Sequence, residues 1–315
     1  MMKVLVTGGA GFIGSHLCDA LLERGCDVWC LDNLWLGRER NIAHLAAVPT
    51  FHFIKLDLLE RDGLRRLFAA NGFDAVFHLA ANSDIRAGTA DTGLDQKLNF
   101  QTTVEVLEAM RAHGVPRLLF ASTSAVFGEA EARLNEASGP LQPISFYGAS
   151  KLAAEAYVSV YAHTLGLKAT VLRFPNVVGE RATHGAIYDF LAKLEKTPER
   201  LEVLGNGLQS KPYVYVGDLV AAMLLTFDAR KDPLEVYHVA GEGSTSVRQI
   251  AEIVVAQSAH RHARIEYTGG DRGWPGDVPT FSYDTSRIRA LGWRPQRDST
   301  AAVTHAVRRI IETGF

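Results

Sequence analysis

Tyr147 and Lys151 form the residue pair whose types and spacing most directly suggest chemistry. They stand four residues apart in the stretch YGASKLAAEAYVSVYAHTL, at 147–165, which predicts a helix. Side chains four apart lie on the same face of a helix, about one turn from each other. An unperturbed tyrosine has a pKa near ~10, and a neighbouring ammonium group stabilises its phenolate. Tyr147 could therefore act as a general base towards a hydroxyl group.

Three hydroxyl side chains, Ser122, Thr123 and Ser124, stand at the end of a predicted strand at 117–122. The carboxyl ends of parallel strands form the ligand-binding edge of an open sheet. Thr123 could there hydrogen-bond the oxygen that gains or loses a proton. A Tyr-x-x-x-Lys spacing alone arises by chance in many helices. Its position after this strand and hydroxyl cluster makes it a candidate catalytic motif.

A glycine-rich turn near the start of the chain predicts a dinucleotide site. The apolar run 4–6 suits a buried parallel strand, and Gly8, Gly9, Gly11 and Gly14 follow it before a helical pattern. They fit G-x-G-x-x-G from Gly9 or G-x-x-G-x-x-G from Gly8. In either register, the backbone can approach a pyrophosphate, and the helix N-terminus offers N–H groups to the anion. A purely structural strand–turn–helix is the alternative.

Asp32 ends the second predicted strand, at 27–31, and lies 18 residues after Gly14. A carboxylate here can accept hydrogen bonds from the adenosine ribose, and it repels a 2′-phosphate. It therefore favours NAD over NADP, although Arg38 and Arg40 nearby keep NADP open. An ordinary strand-end aspartate that caps a turn is the alternative interpretation.

Small and polar residues surround the end of the fourth predicted strand. Ala80 and Ala81 would let a flat cofactor lie against the backbone. We interpret His78 as a buried strand histidine whose ring is satisfied. Asp84 and Arg86 stand in the loop beyond, where ligands bind in an open parallel sheet.

The predicted elements that must position these residues alternate along the chain. Strands are expected at 4–6, 27–31, 51–56, 74–81, 117–122 and 168–173, separated by helices that include 61–71, 94–113 and 147–165. This alternation predicts an α/β fold with a doubly wound parallel sheet of the Rossmann type and right-handed crossovers.

Two domains are expected. Residues 1–176, with later elements near 212–241, would bind the dinucleotide, and 177–315 would mainly form a smaller mixed α/β substrate domain. The second half predicts helices near 187–196, 217–228 and 247–258 and strands near 201–204 and 236–240. A turn-rich segment at 269–279 and two short helices would complete the chain.

Composition excludes several classes of protein. The 315 residues carry a net charge of −2, with 47% hydrophobic and 22% charged residues, so no nucleic-acid or polybasic membrane surface is expected. Three cysteines, Cys18, Cys26 and Cys30, match no zinc spacing and fit a reducing cytosol. We expect no metal site, no signal peptide and no membrane span.

Taken in order, these motifs resemble the extended short-chain dehydrogenase/reductases, in the sugar-nucleotide epimerase/dehydratase group. The resemblance spans nearly the whole chain and is more specific for the family than for the reaction. It rests on TGGAGFIGSHL (7–17), Asp32, HLAA (78–81), STSAVFG (122–128), YGASK (147–151), RFPNVVG (173–179) and VLGNGLQSKPYVYVGDL (203–219).

The resemblance implies NAD as cofactor and a nucleotide sugar as substrate. Thr123, Tyr147 and Lys151 would be catalytic, with Lys151 also holding the nicotinamide ribose. The implied cofactor contacts are Gly8, Gly11, Phe12, Ile13, Gly14, Asp32, Asn33, Asp57, Leu58, Leu79, Ala80, Ala81, Asn99, Ser122, Tyr147, Lys151 and Phe174. The implied substrate contacts are Ser83, Arg86, Thr123, Ser124, Asn176, Lys211 and Arg272.

Two of these substrate positions depart from the family pattern. Lys211 stands where the family often has arginine, and a cation there would contact the substrate diphosphate. The usual R-P-G-D segment reads W-P-G-D at 274–277, with Arg272 displaced by two positions.

The residues after Thr123 bear on the reaction. Related 4,6-dehydratases carry an Asp-Glu pair there, and decarboxylating relatives carry a glutamate, whereas this chain has Ser124 and Ala125. Without such a carboxylate, oxidation followed by re-reduction fits best. We therefore expect 4-epimerisation of a nucleotide-diphosphate hexose, most simply a UDP-hexose, through a 4-keto sugar. A dehydratase or other tailoring enzyme is the alternative, and a non-catalytic NAD-binding regulator is a further one.

The family also implies a cytoplasmic homodimer. The helices near 99–113 and 147–165 would pair with copies of themselves in a four-helix interface. The apolar side chains expected there are Val104, Leu107, Ala154, Val158 and Tyr161.

Overall fold

The computed structural model describes residues 1–129, 133–270 and 281–314. The strands are β1 (Lys3–Thr7), β2 (Asp27–Asp32), β3 (Phe51–Lys55), β4 (Ala75–His78), β5 (Arg117–Thr123), β6 (Arg133–Leu134), β7 (Lys168–Phe174), β8 (Asn176–Val178), β9 (Arg200–Val203), β10 (Ser210–Lys211), β11 (Tyr213–Tyr215), β12 (Leu234–His238), β13 (Thr245–Ser246), β14 (Arg264–Tyr267) and β15 (Ser282–Tyr283). The α-helices are α1 (Phe12–Glu23), α2 (Arg61–Asn71), α3 (Ile85–Ala90), α4 (Thr102–Ala112), α5 (Phe146–Leu165), α6 (Ala186–Lys196), α7 (Val216–Ala229), α8 (Val247–Gln257), α9 (Ser286–Ala290) and α10 (Ser299–Thr313).

Seven of these strands form one parallel sheet, in the order β12-β7-β5-β4-β1-β2-β3. The apolar runs of β1 and β4 are fully buried, as expected for strands covered by helices on both faces. The chain runs outward from β1 through β2 to β3 and then crosses back to β4, so the strand order reverses beside β1. Ligands of such sheets bind at this switch point, outside the carboxyl ends of the strands. The predicted fold class is confirmed.

The chain divides into two compact units. Unit 1 comprises Met1–Gly128, Gly139–Arg173 and Met223–Tyr237. Its core packs the sheet against helices that include α2, α4 and α5, and buries Leu5, Phe68, Leu107, Phe120 and Val158.

Unit 2 comprises Glu129–Ser138, Phe174–Ala222 and His238–Phe315. Its described part contains four two-stranded pairs, β10–β13, β11–β8, β14–β9 and β15–β6. The apolar faces of α6, α8 and α10 meet in its core, around Leu194, Leu201, Val254 and Val303.

Some predicted elements differ from those observed. The helix predicted at 94–113 is interrupted, because Gln96–Gln101 form a π-helical turn ahead of α4. A π-turn within a helix often marks a functional site. The loop after β4 contains α3, which Asp84 starts by accepting hydrogen bonds from the N–H groups of Arg86 and Ala87. The final helix, α10, has 15 residues and is not short.

Three of the five side chains expected at a dimer interface cannot contact a second copy of the chain. Leu107, Ala154 and Val158 are fully buried in the core of unit 1, so this part of the expectation is wrong. Helical spacing alone could not distinguish the face that packs on the sheet from the outer face. The large apolar side chains exposed on α5 are Phe146, Tyr157, Val160 and Leu165, with exposed fractions of 47%, 45%, 58% and 54%.

No helix in the described part of the chain is long and apolar enough to cross a membrane. Among the same residues, no group of three or more His, Cys, Asp or Glu side chains is arranged to hold a metal ion.

Candidate active site

Main-chain atoms leave no room for side chains at two positions of the glycine turn. Gly8 has φ +70°, and its N–H donates to Leu31 O at 2.8 Å. A Cβ at Gly8 would lie 2.7 Å from Ala80 N, and one at Gly14 would overlap Gly8 O. The α1 helix starts at Phe12 without a side-chain cap. The cradle and the helix N-terminus therefore fit a pyrophosphate, whose oxygens can accept hydrogen bonds from backbone N–H groups.

Asp32 is buried at the end of β2, and backbone donors hold both of its oxygens. Ala10 N–H donates to Oδ2 at 3.0 Å, and Leu34 N–H donates to Oδ1 at 2.8 Å. Burial raises the pKa of this carboxyl, and these N–H groups oppose the shift. Gly11 N–H is a third backbone donor to this carboxylate, and the two oxygens keep further acceptor capacity. Asp32 is thus oriented as an acceptor, which suits the ribose hydroxyls predicted for it.

The other cofactor contacts predicted near Asp32 differ in how far their side chains are available to a ligand. Asn33 donates through Nδ2 to Asp57 Oδ2 at 3.0 Å, and Asp57 Oδ1 accepts from Leu59 N at 2.8 Å. The side chain of Leu58 is buried in the hydrophobic core, so only its main chain could contact a cofactor. Other predicted contacts on this edge, Phe12, Ile13, Leu79, Ala80 and Ala81, are partly buried.

His78 is fully buried, and both of its ring nitrogens have partners. Nδ1 lies 2.6 Å from Thr7 Oγ1, and Nε2 lies 3.0 Å from Thr103 Oγ1. Thr103 donates its own proton to Asn99 O at 2.6 Å, so it accepts from Nε2–H. Burial lowers the pKa of His78 to about 3, which keeps the ring neutral. This confirms the interpretation of His78 as a satisfied core residue.

The predicted catalytic residues come together between the end of β5 and the start of α5. Ser145 caps α5 by accepting from Gly148 N at 3.1 Å, which places Tyr147 in the first turn. The Thr123 hydroxyl hydrogen-bonds Tyr147, while Thr123 Oγ1 accepts from Ala125 N at 3.1 Å. Lys151 is buried, and its Nζ donates to Ala121 O at 2.9 Å. A tyrosine, a hydroxyl and an ammonium group therefore share one site.

Burial dominates the electrostatics of this site. It raises the pKa of Tyr147 to about 12, assisted by the charge of Asp95 and opposed by the Thr123 hydrogen bond. It lowers the pKa of Lys151 to about 8, opposed by the charges of Glu155 and Asp95. The Tyr147 shift is opposite to the one that the Tyr–Lys spacing predicts. The reason is that desolvation disfavours the phenolate and that Lys151 Nζ hydrogen-bonds a β5 carbonyl.

A buried amide and carboxylate network lies beside the catalytic helix. Asn99 Oδ1 accepts from Asn82 N at 2.7 Å, and Asn99 Nδ2 donates to Asp95 Oδ1 and to Ser150 Oγ, both at 3.1 Å. Sequence reasoning named Asn99 but missed Asn82 and Asp95. The four-residue spacing of Asp95 and Asn99 was a signal for the second of these.

Glu155 is a second residue that sequence reasoning missed. It follows Lys151 by one helical turn and forms a buried ion pair with Arg173, with Nη2 to Oε2 at 2.6 Å. Ser122 also donates its hydroxyl to Glu155. The predicted cofactor contact Ser122 is therefore engaged in holding α5, although its lone pairs can still accept. The spacing Tyr147, Lys151, Glu155 was the sequence signal.

The remaining predicted cofactor and substrate contacts are spread over both units of the chain. Ser124 is partly buried in the turn after β5, and Ser83 and Arg86 are exposed around the start of α3. In unit 2, Phe174 is partly buried, Asn176 is exposed at the start of β8, and Lys211 is on β10, which pairs with β13. Arg272 and the segment 274–277 lie outside the described residues.

The chain is thus a nucleotide-binding α/β protein with a tyrosine–lysine pair near the carboxyl end of β5. Comparison with known proteins gives the family. The sequence model of the NAD dependent epimerase/dehydratase family matches residues 4–248, and this chain belongs to that family.

Some proteins similar to this chain are named epimerases and others dehydratases. A UDP-glucose 4-epimerase from Streptomyces lividans is 32% identical over 319 residues, which cover 96% of this chain and 94% of the relative. A dTDP-glucose 4,6-dehydratase from an Actinoplanes species is 29% identical over 315 residues, with 97% of each chain covered. The crystal structure of a UDP-glucose 4-epimerase from Thermus thermophilus in complex with NAD has a TM-score of 0.88 and 32% identity, covering 99% of this chain and 100% of that chain. The predicted family and the predicted cofactor, NAD, are confirmed.

Proposed function

We propose that this chain is an NAD-dependent 4-epimerase of a nucleotide-diphosphate hexose, with a UDP-hexose as the first choice. The observation that carries the proposal is the Thr123, Tyr147 and Lys151 site with Ser124 and Ala125 beside it. The site has a candidate base and an oxygen-binding hydroxyl, but the two positions after Thr123 hold no acid. The names of the epimerase relatives support the same reaction.

The glycine turn and Asp32 would hold NAD, which would supply a hydride acceptor and donor for the sugar. Tyr147 would take the proton from the C4 hydroxyl, while Thr123 holds the same oxygen and fixes its direction. With the pKa of Tyr147 at about 12, forming the phenolate at pH 7 costs about 7 kcal/mol in the protein alone. Positive charge beside the phenol is therefore needed for the transfer. Lys151 supplies part of it, since most Lys151 side chains are protonated below pH 8.

The remaining predicted contacts complete the proposal. Unit 1 would hold NAD through the glycine turn and Asp32. Unit 2 would hold the nucleotide-diphosphate part of the substrate, with Lys211 as the cation for the diphosphate and Asn176 as a hydrogen-bonding partner. The three cysteines are buried thiols, which agrees with a cytoplasmic location.

A homodimer through α4 and α5 is part of the proposal. Besides Phe146 and Leu165 at its ends, α5 exposes Tyr157 and Val160, which are three residues apart and so lie on one face. Ala149 and Ala156 are also exposed on this helix. An apolar helix face with small residues suits close packing on a second copy of the same helix around a two-fold axis.

The decisive experiment is product analysis by NMR and mass spectrometry after incubation with UDP-glucose, UDP-galactose, their N-acetyl forms and dTDP-glucose in heavy water. A 4-epimerase interconverts the two UDP-hexoses, keeps their mass, and places no deuterium on carbon because the same hydride returns. Loss of one water with deuterium at C5 would instead establish the dehydratase alternative, which the relative from Actinoplanes keeps open. Unchanged substrates across the panel would contradict both enzymatic proposals.

A further inference from the structure

Asp95 is a buried carboxylate with an uneven set of partners. Only 1% of the residue is exposed. Oδ1 accepts from Asn82 Nδ2 at 2.8 Å and from Asn99 Nδ2 at 3.1 Å. Oδ2 is buried and has no hydrogen-bond partner among the described residues. It packs against Gly88, where an added Cβ would overlap it. Burying a carboxylate oxygen without a partner is costly, so the charge calls for an explanation other than stability.

The hydrogen bonds of Asp95 continue to the catalytic helix. Asn99 Nδ2, which donates to Asp95, also donates to Ser150 Oγ at 3.1 Å. Ser150 Oγ in turn donates to Tyr147 O at 2.8 Å. A chain of side chains thus connects Asp95 to the main chain of the catalytic tyrosine. Asn99, which is the middle member of this series of hydrogen bonds, belongs to the π-turn Gln96–Gln101.

Titratable side chains from three parts of the fold surround Lys151, and two of them carry charge. Glu155, on the same helix, interacts with Lys151, but its carboxylate already binds Arg173 through three hydrogen bonds. His78 on β4 is neutral. The charge of Asp95 raises the pKa values of both Lys151 and Tyr147. The charge of Asp84 in turn raises the pKa of Asp95. Asp95 is therefore the incompletely satisfied carboxylate whose charge acts on both Tyr147 and Lys151.

We propose that Asp95 is a positioning residue for the Tyr147–Lys151 pair, which it holds by hydrogen bonds through Asn99 and Ser150 and by its negative charge. Its charge favours the ammonium form of Lys151 and disfavours the phenolate form of Tyr147. Asp95 thereby keeps the pair as ammonium and phenol until further positive charge enters the site. This role rests on the proposed function of Tyr147 and Lys151.

The test replaces Asp95 with asparagine, which keeps an Oδ1 acceptor but removes the charge. Because a negative charge is lost, the pKa of Lys151 should fall below its value of about 8, by roughly 0.5–1 unit. The measurement is NMR titration of the Lys151 side chain in ¹³C-lysine-labelled protein, assigned with Lys151→Arg. It needs no sugar turnover, so it stands apart from the success or failure of the proposed function. Asp91→Asn, which removes an exposed carboxylate from the same segment, is the matched control and should leave Lys151 unchanged.

The kinetic readout uses whichever sugar nucleotide the wild-type chain converts. In Asp95→Asn, both limbs of the pH profile of kcat/KM should move to lower pH, because the pKa values of Tyr147 and Lys151 both fall. A loss of rate with unmoved limbs, or an unmoved Lys151 titration, would reduce Asp95 to a structural residue and overturn the proposal.

Ser150→Ala tests the hydrogen-bond chain separately and remains informative if Asp95→Asn does not fold. It keeps the charge of Asp95 but cuts the connection to Tyr147. We expect kcat to fall about 10-fold, with KM and both pH limbs unchanged. Wild-type kcat in a folded Ser150→Ala variant would show that the chain does not position Tyr147 and would overturn that half of the proposal.

Discussion

The glycine turn and the start of the catalytic helix meet the same edge of the sheet, but different interactions hold them. The turn at Gly8–Gly14 follows β1 and is fixed by backbone geometry, with a positive φ at Gly8 and close main-chain contacts at Gly8 and Gly14. The start of α5 is fixed by side chains from distant parts of the chain, including Asn99 and Asp95. The glycine turn is thus held by interactions between near neighbours in the sequence, and the start of α5 by interactions between residues far apart in the sequence.

His78 connects the two regions. Its ring lies between Thr7, the last residue before the glycine turn, and Thr103, which donates to the main chain of Asn99. A buried group with all its hydrogen bonds satisfied, such as His78, links elements of the fold. An incompletely satisfied one, such as Asp95, also acts through its charge on the groups around it.

Tyr147→Phe should produce the largest effect, because it removes the phenolic oxygen from the long-range site and leaves the helix intact. We expect turnover to fall by roughly 10²–10⁴ while NAD stays bound. Thr123→Val should cost less, since Thr123 orients the substrate oxygen without taking its proton. Steady-state kinetics and calorimetric titration of NAD check both variants. Wild-type turnover in Tyr147→Phe would remove Tyr147 from the mechanism.

His78→Gln removes the imidazole ring that links the glycine turn to the region of Asn99. Its effect should appear in the pH dependence of the unfolding free energy. The pKa of His78 is lowered in the folded chain, so the unfolded chain binds the extra proton between pH 6.5 and 3. Stability should therefore fall as the pH falls through this window, with His78 contributing up to about 5 kcal/mol of the loss. Denaturant unfolding at pH 7 and pH 4 should show a smaller difference for His78→Gln than for the wild type. Equal differences would show that His78 titrates normally.

Gly8→Ala and Gly25→Ala separate backbone strain from lack of space in the local region. Both glycines have positive φ, +70° and +74°, but an added Cβ meets the backbone of Ala80 at Gly8 and nothing within 4 Å at Gly25. Gly25→Ala should cost about 1 kcal/mol of unfolding free energy, and Gly8→Ala roughly 3 kcal/mol. Only Gly8→Ala should also weaken NAD binding in calorimetric titration. Similar costs for both would show that the close contact at Gly8 relaxes freely.

Val160→Glu should have the smallest effect on folding, because it changes only the outer face of the catalytic helix. We expect sedimentation to show a monomer where the wild-type chain is a dimer, while circular dichroism shows an unchanged fold of the protomer. Ile311→Glu, an exposed apolar position on α10, is the control and should leave the dimer intact. A wild-type chain that sediments only as a monomer would contradict the proposed interface.

Local features were determined by the sequence itself. The alternation of strands and helices, the glycine turn, Asp32 at the end of β2, and the Tyr147–Lys151 spacing all depend on neighbours within one element or one turn. Hydrophobic periodicity and the steric limits on φ act over that same short range, so they can be predicted without the structure.

The tertiary structure alone decided which groups surround those features. Tyr147 acquires a pKa of about 12 because the fold buries it and brings Asp95, 52 residues earlier in the chain, close to it. Leu107, Ala154 and Val158 pack into the core, and Glu155 binds Arg173. Burial and electrostatic interactions depend on distances in space, and the spacing of residues along the chain does not define those distances.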